Sequence, residues 1–247
     1  MRILQLNVWT GRIKGALLDF FEKNQFDVIC LQEAVWSDKK EILEMFCVSV
    51  DQIKEASGLK YEFRSANWEM GFATPDGVIK QGNVILSRDK IISQSTEIVH
   101  GEYKKVKSIN DLHDHAYALQ IAALESGINI VNHHGYWLPT PVGDNKTVET
   151  MHKVGDIVRK LQGPVVMCGD LNITYASPAM RELDFLQDLT EQYQIKNTLM
   201  GLKYDGEVAC DHILVNDEVM VEDFKVLDNL VSDHRALVAK IKTNDKV

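Results

Sequence analysis

The chain is short of cysteine and proline. Its four cysteines, Cys30, Cys47, Cys168 and Cys210, lie far apart with no CxxC pair, so neither a disulfide framework nor a zinc knuckle is indicated. The five prolines and fifteen glycines are unclustered, which leaves no visible linker. No apolar run approaches the roughly 18 residues of a membrane span. Residues 1–8 (MRILQLNV) lack the charged start, apolar stretch and cleavage site of a secretory signal. We therefore expect a cytoplasmic protein with reduced thiols and no stable membrane insertion. Positive charge is scarce as well, with 27 Lys and Arg against 36 Asp and Glu, a formal net charge of −9. That balance argues against non-specific coating of nucleic acid, which depends on neutralising phosphates.

Apolar residues make up 45% of the 247 positions, enough to close a large core, and a domain of this size buries roughly three quarters of its unfolded surface. We expect a single domain over residues 1–247. Hydrophobic periodicity alternates from the start. Residues 2–8 read as a strand, Ile13, Ala16, Leu17, Phe20 and Phe21 fall at helical spacing, and residues 27–33 (DVICLQE) form an almost continuous apolar strand. Ser37-Asp38 is placed to cap one further helix carrying Ile42, Met45, Phe46, Val50 and Ile53, which Ser57-Gly58 would end. Residues 59–133 hold short β-patterned runs at 59–65, 70–73, 83–86, 91–99, 116–124 and 128–132. A helical stripe then returns at Met151, Val154, Val158 and Leu161, followed by strands at 165–168, 212–215, 219–226 and 236–241. The pattern predicts an α/β protein with two sheets packed together and helices outside.

The polar residues at the ends of these strands are the ones a rigid scaffold can aim into a cleft. They are Asn7, Glu33, His133-His134, the GDLN of residues 169–172, Asp211, and the SDH of residues 232–234. Singly, each is an ordinary turn or cap signal. In this order, with LQLN at 4–7, LQE at 31–33 and GNVILSR at 82–88, the chain resembles the endonuclease/exonuclease/phosphatase superfamily, the DNase I-like fold. The resemblance spans nearly the whole chain. It implies a four-layered α/β sandwich of two mixed sheets face to face, and a divalent-metal phosphoesterase site at one end of the sheets.

The residues suit that chemistry. Asn7, Glu33 and Asp233 offer oxygens and no sulfur, which fits Mg²⁺ or Mn²⁺ better than zinc. His234 is placed as general base, with Asp211 to orient it. Asp170 and Asn172 would position the attacking water, and an alternative makes Asp170 the base. His134, with His133 as fallback, would donate to a phosphoryl oxygen. Trp9, Trp137 and Tyr103 are candidate substrate contacts. Tyr103 lies in the basic run at 103–107, which reads more readily as a solvated loop. His113-Asp114-His115 lacks the further ligands of a closed zinc site.

Two departures from the superfamily pattern matter. Trp9 stands where abasic-site endonucleases carry a second acidic ligand, and His133-His134-Gly135 replaces the usual Thr-His-Leu. The segments LNVW and LQEAVWS look most like those of neutral sphingomyelinases, but hydrophobic anchors are absent. The expected activity is metal-assisted hydrolysis of a phosphodiester in a nucleic acid or nucleotide. A phospholipid head group such as sphingomyelin comes second and an inositol phosphate third. A phosphate-binding module on the same fold, without turnover, is the alternative of another class. No protein partner is evident.

Overall fold

The computed structural model describes residues 1–71, 78–108, 115–200 and 207–243. Along them run β1 (Arg2–Asn7), α1 (Lys14–Lys23), β2 (Val28–Ser37), α2 (Lys40–Phe46), α3 (Val50–Ser57), β3 (Tyr61–Met70), β4 (Ile79–Ser87), β5 (Ile91–His100), β6 (Lys104–Val106), β7 (Tyr117–Leu124), β8 (Asn129–His134), α4 (Asn145–Val158), β9 (Val165–Asp170), β10 (Gln187–Asp188), α5 (Leu189–Gln192), β11 (Asp211–Val215), β12 (Val219–Leu227) and β13 (Ala236–Thr243). One sheet has the order β12-β13-β1-β2-β4-β3-β6 and the other β10-β11-β9-β8-β7-β5. Both are mixed: β1 pairs parallel with β2, and β8 parallel with β9.

Three apolar layers hold this together. Between the sheets, Ile3, Val28, Cys30, Ile85, Ile130, Val166, Cys168, Ile213 and Leu237 are fully buried. Alternate residues of β1 and β2 face the other way, where Leu4, Leu6, Ile29 and Leu31 meet Leu17, Phe20 and Phe21 of α1 and Val50 and Ile53 of α3. On the far side, Leu119, Val131 and Met167 meet Met151, Val154 and Val158 of α4. Helix, sheet, sheet, helix is the four-layered sandwich expected, and each fully buried side chain of this kind contributes roughly 2 kcal/mol of transfer free energy. No described helix is long and apolar enough to cross a membrane.

Several elements differ from the sequence expectation. The single helix from Ser37 to Gly58 is two, because Cys47 is extended and Ser49 opens a new helix, its side chain accepting from Gln52 N while Gln52 caps it in return. Gly58 ends α3 in the left-handed region at φ 66°. Ser37 is the last residue of β2 and caps no helix, and Met45 and Phe46 are exposed. Residues 104–106, expected in a loop, form β6 beside β3. The run at 70–73 ends β3 at Met70, and its remainder beyond Gly71 lies outside the described residues.

Strand direction decides where the polar strand ends go. Parallel pairing brings the ends of β1 and β2 to the same edge, and likewise those of β8 and β9, with His134 opposite Asp170. β11 runs antiparallel and starts at that edge, Asp211 opposite Asp170. The turn before β13 delivers Asp233 and His234 there too.

Candidate active site

Asn7 is almost fully buried at the end of β1, and its Nδ2 donates to Asp170 Oδ2 at 2.9 Å and to Glu33 Oε1 at 3.2 Å. Its Oδ1 accepts from Trp9 N at 3.0 Å, which fixes the orientation of the amide. Glu33 sits in a β-bulge, where β2 slips register between Leu31 and Ala34, and its φ is +53°. A non-glycine residue in this left-handed region costs on the order of 1 kcal/mol, a strain characteristic of functional positions. Asn172 is also left-handed, at φ 57°. Its backbone N donates to Asp170 Oδ1 at 3.0 Å and its Nδ2 to Gly135 O at 2.9 Å.

Asp170 Oδ2 lies 3.6 Å from His134 Nε2 and 3.6 Å from His234 Nε2. His234 Nδ1 lies 2.8 Å from Asp211 Oδ2. Asp211 is wholly buried and accepts from Thr198 Oγ1 at 2.7 Å and from Gln5 Nε2 at 3.3 Å. Asp233 Oδ1 is 4.0 Å from His234 Nε2 and accepts from Ser232 Oγ. Burial would push the Asp170 pKa up, but the charges of His234 and His134 and the Asn7 hydrogen bond outweigh it and hold the carboxyl below its ordinary value. Burial opposes the imidazolium of His234, and Asp211 and Asp170 overcome it, raising that group well above 6.5. The two groups are pushed apart, carboxylate on one side and imidazolium on the other.

These residues open onto a cleft of about 580 Å³ lined by Glu33, His134, Asp170, Asn172, Asp233 and His234, with Trp9 and the half-exposed Trp137. Asn7 and Asp211 stand behind its wall. His133 faces away: it is fully buried, its Nδ1 is 3.1 Å from Ala118 O, and burial takes it down to about 4. Tyr103 is not among the lining residues, and its hydroxyl donates to Glu69 at 2.7 Å. His113 and Asp114 lie outside the described residues. His115 lines the cleft, and burial brings it down to about 4, so its ring is neutral.

Two donor sets bear on a divalent cation. Asp170, Cys210, Asp211 and His234 place ligand atoms within 4.8 Å of one another. Asp211, however, is committed to Thr198, Gln5 and His234, and burial pushes the Cys210 thiol up, away from the thiolate a metal needs. Glu33 and Asp233 present carboxylate oxygens to the cleft, with the Asn7 amide against Glu33. Carboxylate oxygens of this kind could hold a hard divalent cation.

Thr198, Gln5 and Asn67 belong to this region and were not indicated by the sequence. All three are uncharged and lie off the strand-end pattern; Gln5 meets Asp211 across the sandwich, and Thr198 meets it from the segment before β11.

The sequence matches the Endonuclease/Exonuclease/phosphatase family over residues 4–234, and the chain belongs to that family, whose members are phosphoester hydrolases. Its fold is similar to that of an endonuclease/exonuclease/phosphatase from Beutenbergia cavernae (TM-score 0.68, 18% identity, 99% of this chain and 72% of that one). It is also similar to the human Nocturnin catalytic domain, solved with a bound sulfate anion (TM-score 0.69, 16% identity, 99% and 94%). A third likeness is to the mannosyl-6-phosphatase Bt3783 of Bacteroides thetaiotaomicron (TM-score 0.65, 16% identity, 98% and 99%). A search among curated proteins returns no match.

Proposed function

We propose that this protein is a divalent-metal-dependent phosphoesterase that hydrolyses a phosphodiester by direct attack of water. The observation that carries this reading is the group of Asp170, His134 and His234, with Asp170 Oδ2 3.6 Å from both imidazoles and bridged to Glu33 through Asn7. Glu33 and Asp233 would hold Mg²⁺ or Mn²⁺; Asn7, expected as a third ligand, has its Oδ1 on Trp9 N and sets the Glu33 carboxylate through Nδ2 instead. Bound there, the ion would neutralise phosphoryl charge and stabilise the leaving oxygen.

The chain's own groups divide the remaining work. Asp170 stays ionised, so it accepts a proton from the attacking water, which Asn172 helps to place. His234 stays protonated, so it donates to a phosphoryl oxygen as charge builds, with His134 donating from the other side. This reverses the base role expected for His234 and takes the alternative that gave it to Asp170. Asp211 is a positioning residue: accepting from Nδ1, it keeps Nε2 of His234 turned to the cleft. Nucleotides and nucleic acid rank first as substrates, ahead of lipid head groups, because the lining offers aromatic rings for stacking.

The test is hydrolysis of bis(p-nitrophenyl) phosphate with Mg²⁺ or Mn²⁺, with and without EDTA. A metal-dependent rate supports the proposal. Phosphate binding without turnover in either metal would establish the binding module instead.

A further inference from the structure

The chemistry above uses one end of the cleft and leaves its side wall unassigned. That wall begins at Asn67, which lines the cleft, is only 3% exposed, and has an Oδ1 with no hydrogen-bond partner. Buried carboxamides are almost always satisfied within the protein or by ordered water. An orphan beside a cleft marks a group kept for something that enters it, and a half-turn about its terminal torsion exchanges donor and acceptor ends.

The backbone delivers Asn67 there deliberately. β3 slips register between Ala66 and Trp68, so Asn67 is the extra residue of a bulge, and β2 slips on the other side of β4 at Glu33. Gly82 of β4 pairs with Ala66 on one side and with Ala34 on the other, between the two bulges. A Cβ at Gly82 would lie 2.0 Å from Ser65 O and 2.9 Å from Asn67 N, so glycine permits the close approach. Bulges re-aim side chains beside active sites. This pair turns a carboxylate and a carboxamide to the same cavity.

Gln81, next to Gly82, lines the cleft too, as does His115. His115 Nδ1 is 2.8 Å from Ala116 O, so the neutral ring donates there and leaves Nε2 as an acceptor. His115 is stacked between Trp68 and Tyr117, with centroids at 6.1 and 4.5 Å and interplanar angles of 25° in both pairs. Charge on the lining is sparse: Arg12 is the only lysine or arginine among the described lining residues, against Glu33, Asp170 and Asp233. Few positive side chains are there to hold phosphates beyond the one that reacts. A quaternary ammonium group would use the rings and leave the carboxamide orphaned. A side chain amide offers donor and acceptor side by side, the complement of a heteroaromatic ring edge.

We propose that Asn67, with Gln81 and His115, is a specificity-determining wall that hydrogen-bonds the edge of a neutral, planar heteroaromatic ring carried by the phosphate ester. The ring lies against the aromatic lining while the phosphate sits at Asp170 and the two histidines. This rests on the phosphoesterase reading above.

The experiment measures competitive inhibition of bis(p-nitrophenyl) phosphate hydrolysis by AMP, GMP, CMP, UMP, ribose 5-phosphate, mannose 6-phosphate and phosphocholine at fixed salt. At least one nucleoside monophosphate should inhibit about tenfold or more below ribose 5-phosphate, since a site built to hydrogen-bond a group rejects analogues lacking it. Asn67→Ala and Asn67→Asp should erase that ratio. Equal inhibition constants across the panel, or tightest binding by a sugar phosphate or phosphocholine, would overturn the proposal. The wild-type panel needs no variant to fold, and Gln81→Leu, which should shrink the same ratio, is an independent second variant. If no metal supports hydrolysis, the phosphoesterase reading fails by itself. The ring preference is then read from quenching of tryptophan fluorescence by the same ligands, because Trp9, Trp68 and Trp137 all line the cleft.

Discussion

One amide nitrogen, Asn7 Nδ2, donates to Asp170 Oδ2 at 2.9 Å across 163 positions of sequence and across the gap between the sheets. The same nitrogen reaches Glu33 Oε1 at 3.2 Å. Asn7→Ala removes the hydrogen bond to buried Asp170 Oδ2 and leaves that oxygen only the longer 3.6 Å contacts with the two imidazoles, at a cost of about 1–3 kcal/mol. Melting should fall by roughly 2–4 °C for each kcal/mol lost, and turnover of bis(p-nitrophenyl) phosphate by about 100-fold or more. Asn7→Asp puts a third carboxylate against two others and should fare no better. An Asn7→Ala protein with wild-type turnover would remove the residue from the site.

His234 and Asp211 should fail as a unit. Asp211→Asn keeps the volume but removes the carboxylate charge and turns one of two accepting oxygens, used by His234, Thr198 and Gln5, into a donating NH2, so kcat should drop by about 10²–10⁴. His234→Ala should drop it at least as far, and the double variant no further, because residues acting together are not additive. Single-turnover kinetics of the three proteins check this. Losses that multiply would show that the pair does not work jointly.

Glu33 is the main oxygen donor assigned to the cation, so Glu33→Gln should raise the Mg²⁺ or Mn²⁺ concentration for half-maximal activity by about tenfold or more, equivalent to about 1.4 kcal/mol. Titration of activity with each metal after EDTA treatment gives the midpoint. An unchanged midpoint with reduced kcat would move the metal elsewhere.

Behind the site, His212 is wholly buried with Nδ1 2.8 Å from Asp188 Oδ2 and Nε2 2.9 Å from Ile173 O, in the loop that carries Asn172. Burial pushes His212 down, and Asp188 outweighs it, so the pKa stands above 6.5. A folded-state pKa above the unfolded one means that the stabilisation is complete below about pH 6.5 and is lost as pH rises through the raised value. The advantage of wild type over His212→Gln/Asp188→Asn in denaturant melts should therefore be largest in mild acid and shrink in alkali. An advantage that grows with pH would contradict the pairing.

Much of the strand pattern was readable because buried strands and amphipathic helices leave strong periodic traces, as in residues 27–33 and at Leu17, Phe20 and Phe21. The strand-end residues were readable because charge at the end of an apolar run is conspicuous. The choice between His133 and His134 was not: adjacent strand residues face opposite ways, and only the register with β9 turns His134 toward Asp170. The break between α2 and α3 had a local signal, the Ser49–Gln52 capping box, hidden by an apolar stripe that continues through it. Asn67 was invisible because its direction depends on one extra residue opposite Gly82, a fact of strand pairing and not of composition. Gln5 is silent in sequence because it meets Asp211 only when β1 and β11 dock, and Thr198 because a lone threonine before β11 carries no pattern.

β13 follows every other described strand in the chain, yet it lies between β12 and β1 in the interior of its sheet. His234 arrives with it. β1 precedes β13 in the chain, so one edge of β1 stays open, and Asp170 and Asp211 lack the His234 imidazolium, until β13 pairs there. The contact of His234 with Asp170 and Asp211 therefore depends on β13 closing the free edge of β1.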